Sequence, residues 1–572
     1  MIKTTGSHYS TEHGDQYISP SSTRATIREI VQQTIRHSPR VLINTTTGRL
    51  CNKSEQASAF ESLPIFKKLV SSMTRRINYA RIKHEVRQYF RYVMLSHTWE
   101  DNEPLFGEVV GIMVTELEES LTHDKLRMFC EIVGKAGFNW AWSDTCCINK
   151  SDPSVLQEAL VAMFEWYEGS AMMIVFLRGV RSSSRRGALA GSKWNTRGWT
   201  LQEYFAAKVI RFYTEDWTLY LDLELPNHKE SPDVIWEMEQ ATGVSAQQLM
   251  ALRPGISSIR EKLCLASNRQ TTRVEDAAWS LLGIFSVTGI IPSYGEKETT
   301  LGILLANVLA RSRDVSILAW TGESGRYNSC FPAHITVFDQ PGTSHLPPPI
   351  QDAELERITA SHSSSFDLDV ALRLYDRLND LDAPWFAASR MKLPCIAFQL
   401  PSLSLYRTRP DRVYRANTHP FGIVEITTRS DLSRMKYLYL VHPWLDALLE
   451  HEDIQGGVFM EDDVMSPPSP NTDDGETCDE EINDDFSSLP EPDSLALLTP
   501  VSMLPMNRET RARHLVARLR QPFGALLVVL VSMGRRAVGY KRVAADSMIT
   551  VQFQENVSLT ELLDNVRTID VL

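Results

Sequence analysis

Residues able to do chemistry gather in three short blocks of this 572-residue chain: Leu95-Ser96-His97-Thr98-Trp99-Glu100-Asp101, Trp142-Ser143-Asp144-Thr145-Cys146-Cys147-Ile148-Asn149-Lys150 and Arg197-Gly198-Trp199-Thr200-Leu201-Gln202-Glu203. Each lies where a strand ends or a helix begins, and ligand sites of parallel sheets form at the carboxyl ends of their strands. Polar residues at two strand ends and one helix start can therefore converge on one cleft. Cys146, Cys147 and His97 supply the parts of a thiol nucleophile. No local nucleophile signature accompanies them, however, and adjacent cysteines in an apolar strand-end setting are usually buried and inert. A metal site from the same residues lacks ligand spacing and a fourth donor, so no metal is expected. Carboxylates are the other resource. Asp144 closes a strand, where turn stabilisation competes with catalysis. Glu203 opens a helix, and Thr200-Leu201-Gln202-Glu203 has the form of a capping box that would turn the carboxylate back on its own backbone. Trp99, Trp142 and Trp199 read equally as packing residues.

The elements that must position these blocks alternate. Residues 92–96 form a strand, helices are expected near 106–121 and 125–135, and Gly137 precedes a strand over 138–144. Asp152-Pro153 opens a helix with apolar residues at helical spacing, and Gly169 ends it. The run 172–177 is a continuous apolar strand of the kind covered on both faces. A loop rich in Ser, Arg and Gly (179–192) leads to a helix from Thr200 and a strand over 208–213. Strands alternating with helices imply a parallel sheet flanked by helices. Ahead of it lie a polar and weakly helical segment (1–40), a strand at 41–44 and what looks like an insertion at 51–91. Behind it, 221–320 is helix-rich, with helices expected at 234–241, 246–252, 273–285 and 300–312. Residues 325–450 read as a β-rich module, 455–498 as an acidic disordered linker, and 499–572 as strands completing the module.

Charge excludes one class of function. The formal net charge is −12, but 461–493 holds thirteen Asp and Glu and no Lys or Arg. The remainder is near neutral and lacks a dense basic run, which argues against a nucleic-acid binder. The basic residues between 75 and 91 read as a solvated helix face. The eight cysteines show no CxxC pair or framework spacing. The opening MIKTTGSHYS has no apolar core, and the longest apolar run, 523–533, is too short to span a bilayer. A cytoplasmic chain with reduced thiols is expected. There is no GxxxxGK[ST] phosphate loop and no repeat of 20–50-residue period.

The three blocks, together with Arg269-Gln270-Thr271-Thr272-Arg273-Val274-Glu275-Asp276 and Leu281-Leu282-Gly283-Ile284-Phe285, closely resemble the fungal heterokaryon-incompatibility (HET) domain family. Leu42-Ile43-Asn44-Thr45 fits the segment that often precedes that domain. The resemblance covers about 41–320, with a weaker echo at 541–572. HET domains in turn look like TIR domains. Leu95-Ser96 followed by Trp99-Glu100-Asp101 is similar to a TIR strand-loop opening, and Trp199-x-x-x-Glu203 matches the TIR pattern of a Trp four residues before a Glu. In TIR enzymes that Glu cleaves NAD+, so the resemblance implies Glu203 as catalyst and NAD+ as substrate rather than resident cofactor. Cleaving a nicotinamide–ribose bond generates an oxocarbenium-like centre that a carboxylate can stabilise, and the cationic leaving group needs no strong acid. Trp99 and Trp199 would then offer stacking faces, and Ser96, Asp144 and Arg197 polar contacts to substrate.

The expected fold is therefore α/β, a TIR-like parallel sheet flanked by helices over 41–220, with a helical extension and a β-rich C-terminal module. The resemblance implies an effector of self/non-self recognition and cell death, acting through protein partners and self-assembly of the HET domain. A non-catalytic interaction module with the same fold is the alternative. Departures from the family pattern (Ser143, Asn149 in place of Asp, and Pro104-Leu105 interrupting the first block) bear on activity more than on fold.

Overall fold

Helices whose apolar stripe would stay wet alone must bury it against one another. In the computed structural model, which describes residues 17–18, 20–71, 77–339, 367–408, 410–444, 508–532, 538–554 and 556–572, this happens first near the N-terminus. Helices α1 (Pro20–Ile35), α2 (Lys53–Ser62), α3 (Pro64–Ser71) and α4 (Tyr79–Tyr89) close around Ile27, Val31, Phe60, Phe66, Ile82 and Phe90. The N-terminal segment and the insertion, expected as separate features, thus form one small helical cap. The acidic stretch at 455–498 lies outside the described residues.

The sheet that carries the three blocks is built from β1 (Val41–Asn44), β2 (Leu50–Asn52), β3 (Tyr92–His97), β4 (Trp140–Trp142), β5 (Met172–Leu177) and β6 (Ile210–Thr214), in the order β2-β1-β4-β3-β5-β6. Strands β4, β3, β5 and β6 are parallel, and every residue of β3 and β5 is buried. That burial matches their continuous apolar runs. Strands β1 and β2 are antiparallel additions at one edge, because a short turn containing Gly48 at φ +67° joins them as a hairpin and a parallel pairing needs a long crossover. The sheet is mixed. Helices α5 (Leu121–Lys135), α6 (Pro153–Glu168) and α7 (Trp199–Ala206) connect the parallel strands. The Asp152 side chain accepts from the Ser154 and Val155 N–H groups at the start of α6.

Two expected helices are shorter than the pattern suggests. Residues 106–121 give only a helical turn (Phe106–Val109) and a 3-10 turn (Val114–Glu116), with Gly111 at φ +85° breaking the run. Residues 273–285 give one turn, Asp276–Trp279. Gly283 there packs its bare Cα on Phe164, where a Cβ would come within 2.3 Å. Helices α8 (Pro232–Thr242), α9 (Ala246–Ala251), α10 (Ile259–Ser267) and α11 (Thr300–Ser312) complete this half.

Beyond it, β7 (Arg390–Gln399), β8 (Leu438–Pro443), β9 (Phe523–Ser532), β10 (Val538–Arg542) and β11 (Val566–Val571) form a closed ring, β8-β7-β11-β10-β9 and back to β8. Closure leaves the ring without an open edge. The helix pair α12 (Leu368–Asn379) and α13 (Arg508–Leu519) packs over it. Buried Arg542 ties the halves together, donating to the Leu318 and Trp320 carbonyls at 2.8 Å and stacking 3.7 Å over the Trp320 ring. Among the described residues no helix is long and apolar enough to cross a membrane.

Candidate active-site cleft

The carboxyl end of the parallel sheet opens into a cleft of about 380 Å³. The end of β3 contributes Leu95, His97 and Trp99, the loop after β4 contributes Asp144, Ile148 and Lys150, and α6 contributes Leu156, Leu160 and Met163. Arg197, Trp199 and Glu203 come from the start of α7, and Gln270, Thr271, Thr272, Arg273, Asp276 and Tyr294 close the far wall. The far wall is hydrogen-bonded to the α7 loop. Gly198 N–H donates to the Gln270 carbonyl at 2.8 Å, and Gln270 N–H donates to that of Thr196 at 2.6 Å. A Cβ on Gly198 would lie 2.4 Å from Thr271 Cγ2, so this approach requires glycine. Buried Arg269 braces the loop, donating to the Arg197 carbonyl (3.0 Å), Thr200 Oγ1 (2.8 Å) and Asn195 Oδ1 (3.1 Å).

Glu203 does not cap its helix. The N-cap of α7 is Gly198, with no side-chain cap, so Thr200 and Glu203 each fall two residues too late for a capping box. Thr200 instead donates to the Trp194 and Arg197 carbonyls. The Glu203 carboxylate reaches across to β3 and accepts from the Ser96 hydroxyl. Ser96 in turn accepts from the buried Trp194 indole N–H at 2.7 Å. Glu203 is 7% exposed. Burial pushes its carboxyl up to about 7, helped by the Asp144 charge and opposed by Ser96, Arg197 and Arg269.

Asp144 takes the opposite course. Burial works to raise its carboxyl, but the Lys150 ammonium at 3.8 Å, the His97 hydrogen bond and Arg197 together hold it well below the usual carboxylate range. Its Oδ2 accepts from the Trp99 indole at 2.8 Å, and its Oδ1 meets His97 Nε2 at 3.2 Å. A carboxylate only accepts, so Nε2 carries the proton and Nδ1 is bare. Burial pushes His97 down, toward the neutral form. Its Nδ1 has no hydrogen-bond partner and lies 3.7 Å from Glu103 Oε1. Glu103 pairs with buried Lys125, which also faces Glu100 at 3.6 Å. Two carboxyls within electrostatic reach, one held ionised and one poised near neutrality, have the division of labour of an acid–base site.

Comparison with known proteins follows the same stretch of chain. The heterokaryon incompatibility protein (HET) profile matches residues 92–190. Over 207 residues the chain is 31% identical to the vegetative incompatibility protein HET-E-1 of Podospora anserina. Residues 92–190 match the HET domain. The alignment covers 34% of this chain, and it spans 14% of the length of that curated relative. No solved structure matches. The HET profile takes in β3, β4 and β5 but stops before Arg197, Trp199 and Glu203.

Of the residues expected at the site, Trp99, Asp144, Arg197, Trp199 and Glu203 all line the HET-domain cleft. Ser96 does not. It is 1% exposed and stands behind Glu203, so its hydroxyl positions the carboxylate rather than meeting a ligand. Trp142 is fully buried against Trp166 and Tyr167. Cys146 and Cys147 are buried, and burial pushes the Cys147 thiol well up. Among the described residues no cluster of His, Cys, Asp and Glu could hold a metal. Sequence reasoning assigned no role to Lys150, Trp194, Arg269, Arg273, Asp276 or Tyr294. Lys150 and the 269–276 block were visible in the motifs, whereas Trp194, in the single helical turn Lys193–Thr196, carried no signal.

Proposed function

We propose that this chain is a vegetative-incompatibility effector whose HET-domain cleft hydrolyses the nicotinamide–ribose bond of NAD+. The observation that carries the reading is the Glu203 carboxyl, buried at the cleft, held by Ser96 and poised near neutral pH. In the reaction the C1′–N bond breaks and its electron pair leaves with neutral nicotinamide. Water adds to C1′ and its proton passes to Glu203, giving ADP-ribose and a proton to solvent. A base titrating near the working pH is the effective kind. Ionised Asp144 supplies negative charge near the developing oxocarbenium centre, and half-exposed Trp99 and Trp199 offer faces for a ring. The name of the Podospora relative supports the incompatibility role, which in this reading proceeds through protein partners and self-assembly of the HET domain.

The test is NAD+ content in cells expressing the full chain, wild type beside Glu203→Gln. Loss of NAD+ with wild type alone is the expected result. Unchanged NAD+ despite soluble expression and cell death would overturn the enzyme in favour of a signalling module. A rate of cleavage that rises with pH up to about 7 and then levels off is the accompanying signature of Glu203 acting as base.

A further inference from the structure

Three cations stand around the cleft: Lys150, paired only loosely with Asp144, and Arg197 and Arg273, which act on the cleft carboxylates without a close ion pair among the described residues. The Lys150 ammonium is buried, has no hydrogen-bond partner, and lies 3.8 Å from its nearest carboxylate oxygen on Asp144. It sits 3.4 Å over the Trp99 ring, and the Arg197 guanidinium faces the same ring at 5.3 Å. Arg273 stacks on Tyr294 at 4.1 Å on the opposite wall, exposed and, like Arg197, without an ion pair among the described residues. A buried ammonium that makes no hydrogen bond and whose nearest carboxylate oxygen is 3.8 Å away is incompletely satisfied, and an anionic ligand would complete it. Here Lys150 and Arg197, both beside the Trp99 indole, also repel each other. A core histidine or a surface helix face would show no such gathering. The arrangement stores an anion's place inside the cleft.

We infer that Lys150, Arg197 and Arg273 form a phosphate subsite, selecting ligands that carry a 5′-diphosphate and placing their sugar toward Glu203. The inference rests on the nucleotide reading above and adds its specificity. The diphosphate bridges Lys150 and Arg273, and Arg197 closes on it from the α7 loop. A nucleoside without phosphate loses these charge-assisted bonds, and each is worth about tenfold or more in affinity.

The experiment uses the full-length Glu203→Gln chain, which cannot turn over, with ADP-ribose and adenosine titrated by calorimetry. ADP-ribose binds, adenosine does not bind at the same concentrations, and affinity falls as salt rises. Lys150→Gln and Arg273→Gln each weaken ADP-ribose about tenfold or more. Arg273 is exposed, so its variant carries the test should loss of Lys150 unsettle the fold. Equal binding of the two ligands, no binding of ADP-ribose, or cation variants that bind as well as their parent would overturn the subsite. The two readings fail separately. ADP-ribose binding beside a wild type that spares NAD+ sinks the hydrolase and leaves the subsite. NAD+ cleavage with KM unchanged in both cation variants does the reverse.

Discussion

Glu203→Gln tests, without any substrate, what its carboxylate does for the fold. The carboxyl titrates near 7 in the folded chain against 4.5 ordinarily. The folded state therefore holds this proton more tightly than the unfolded chain does. The native state is favoured below about 4.5 and loses stability as pH rises toward 7. The displacement corresponds to roughly 3 kcal/mol lost above pH 7 but only about 1 kcal/mol at pH 5. An amide escapes that loss, since it bears no charge and its oxygen still accepts from Ser96. The variant should be more stable than wild type at pH 8 by about 2–3 kcal/mol and by about 1 kcal/mol or less at pH 5. Urea unfolding followed by tryptophan fluorescence at both pH values gives the two differences. A capping role gives another pattern: a small destabilisation, about 1 kcal/mol or less, with no pH dependence. A variant that is equally destabilised at pH 5 and pH 8 would refute the reasoning.

Three other perturbations read the surroundings. Gly198→Ala drives a methyl to 2.4 Å from Thr271 Cγ2, and should cost about 1–3 kcal/mol in thermal unfolding by prising the 270 segment from the α7 loop; an unchanged Tm would show that the approach is not tight. Arg269→Met leaves Asn195 Oδ1 and Thr200 Oγ1 without the guanidinium donor and the Arg197 carbonyl with Thr200 alone. It should lose about 2–4 kcal/mol in urea, and a loss under 1 kcal/mol would mean the brace is idle. Native alkylation with iodoacetamide, read by mass spectrometry, should reach half-buried Cys51 well before Cys146 or Cys147; the reverse order would put reachable thiols back among the candidate nucleophiles.

Where the sequence was legible, periodicity and burial coincided. The run 172–177 and the helix opened by Asp152-Pro153 could be read because continuous apolarity and cap chemistry are local signals. The site residues at strand ends followed from the same logic, since five of the six expected side chains share one cleft. What misled was local chemistry overruled at a distance. Thr200-Leu201-Gln202-Glu203 has the letters of a capping box, yet Gly198 starts the helix earlier and Ser96, more than a hundred residues upstream, takes the carboxylate. Spacing within a block cannot reveal a hydrogen bond between blocks. The expected helix over 273–285 failed for a similar reason. Its segment serves the cleft wall and the Phe164 contact rather than its own periodicity. The antiparallel edge of the sheet was hidden because a four-residue strand reads alike in either direction.

The ring of strands has a consequence in time. Strand β11, residues 566–571, lies between β7 and β10, so the ring cannot close until the chain through residue 571 has left the ribosome. The last cleft residue, Tyr294, emerges long before. At ~5–20 residues per second the interval is on the order of tens of seconds. Throughout it the carbonyls of Leu318 and Trp320 wait for Arg542, and β7 and β8 present bare edges. Translation thus delivers the cleft before the ring that braces it, and the nascent chain gives chaperones an edge to shield while the cleft residues are already out.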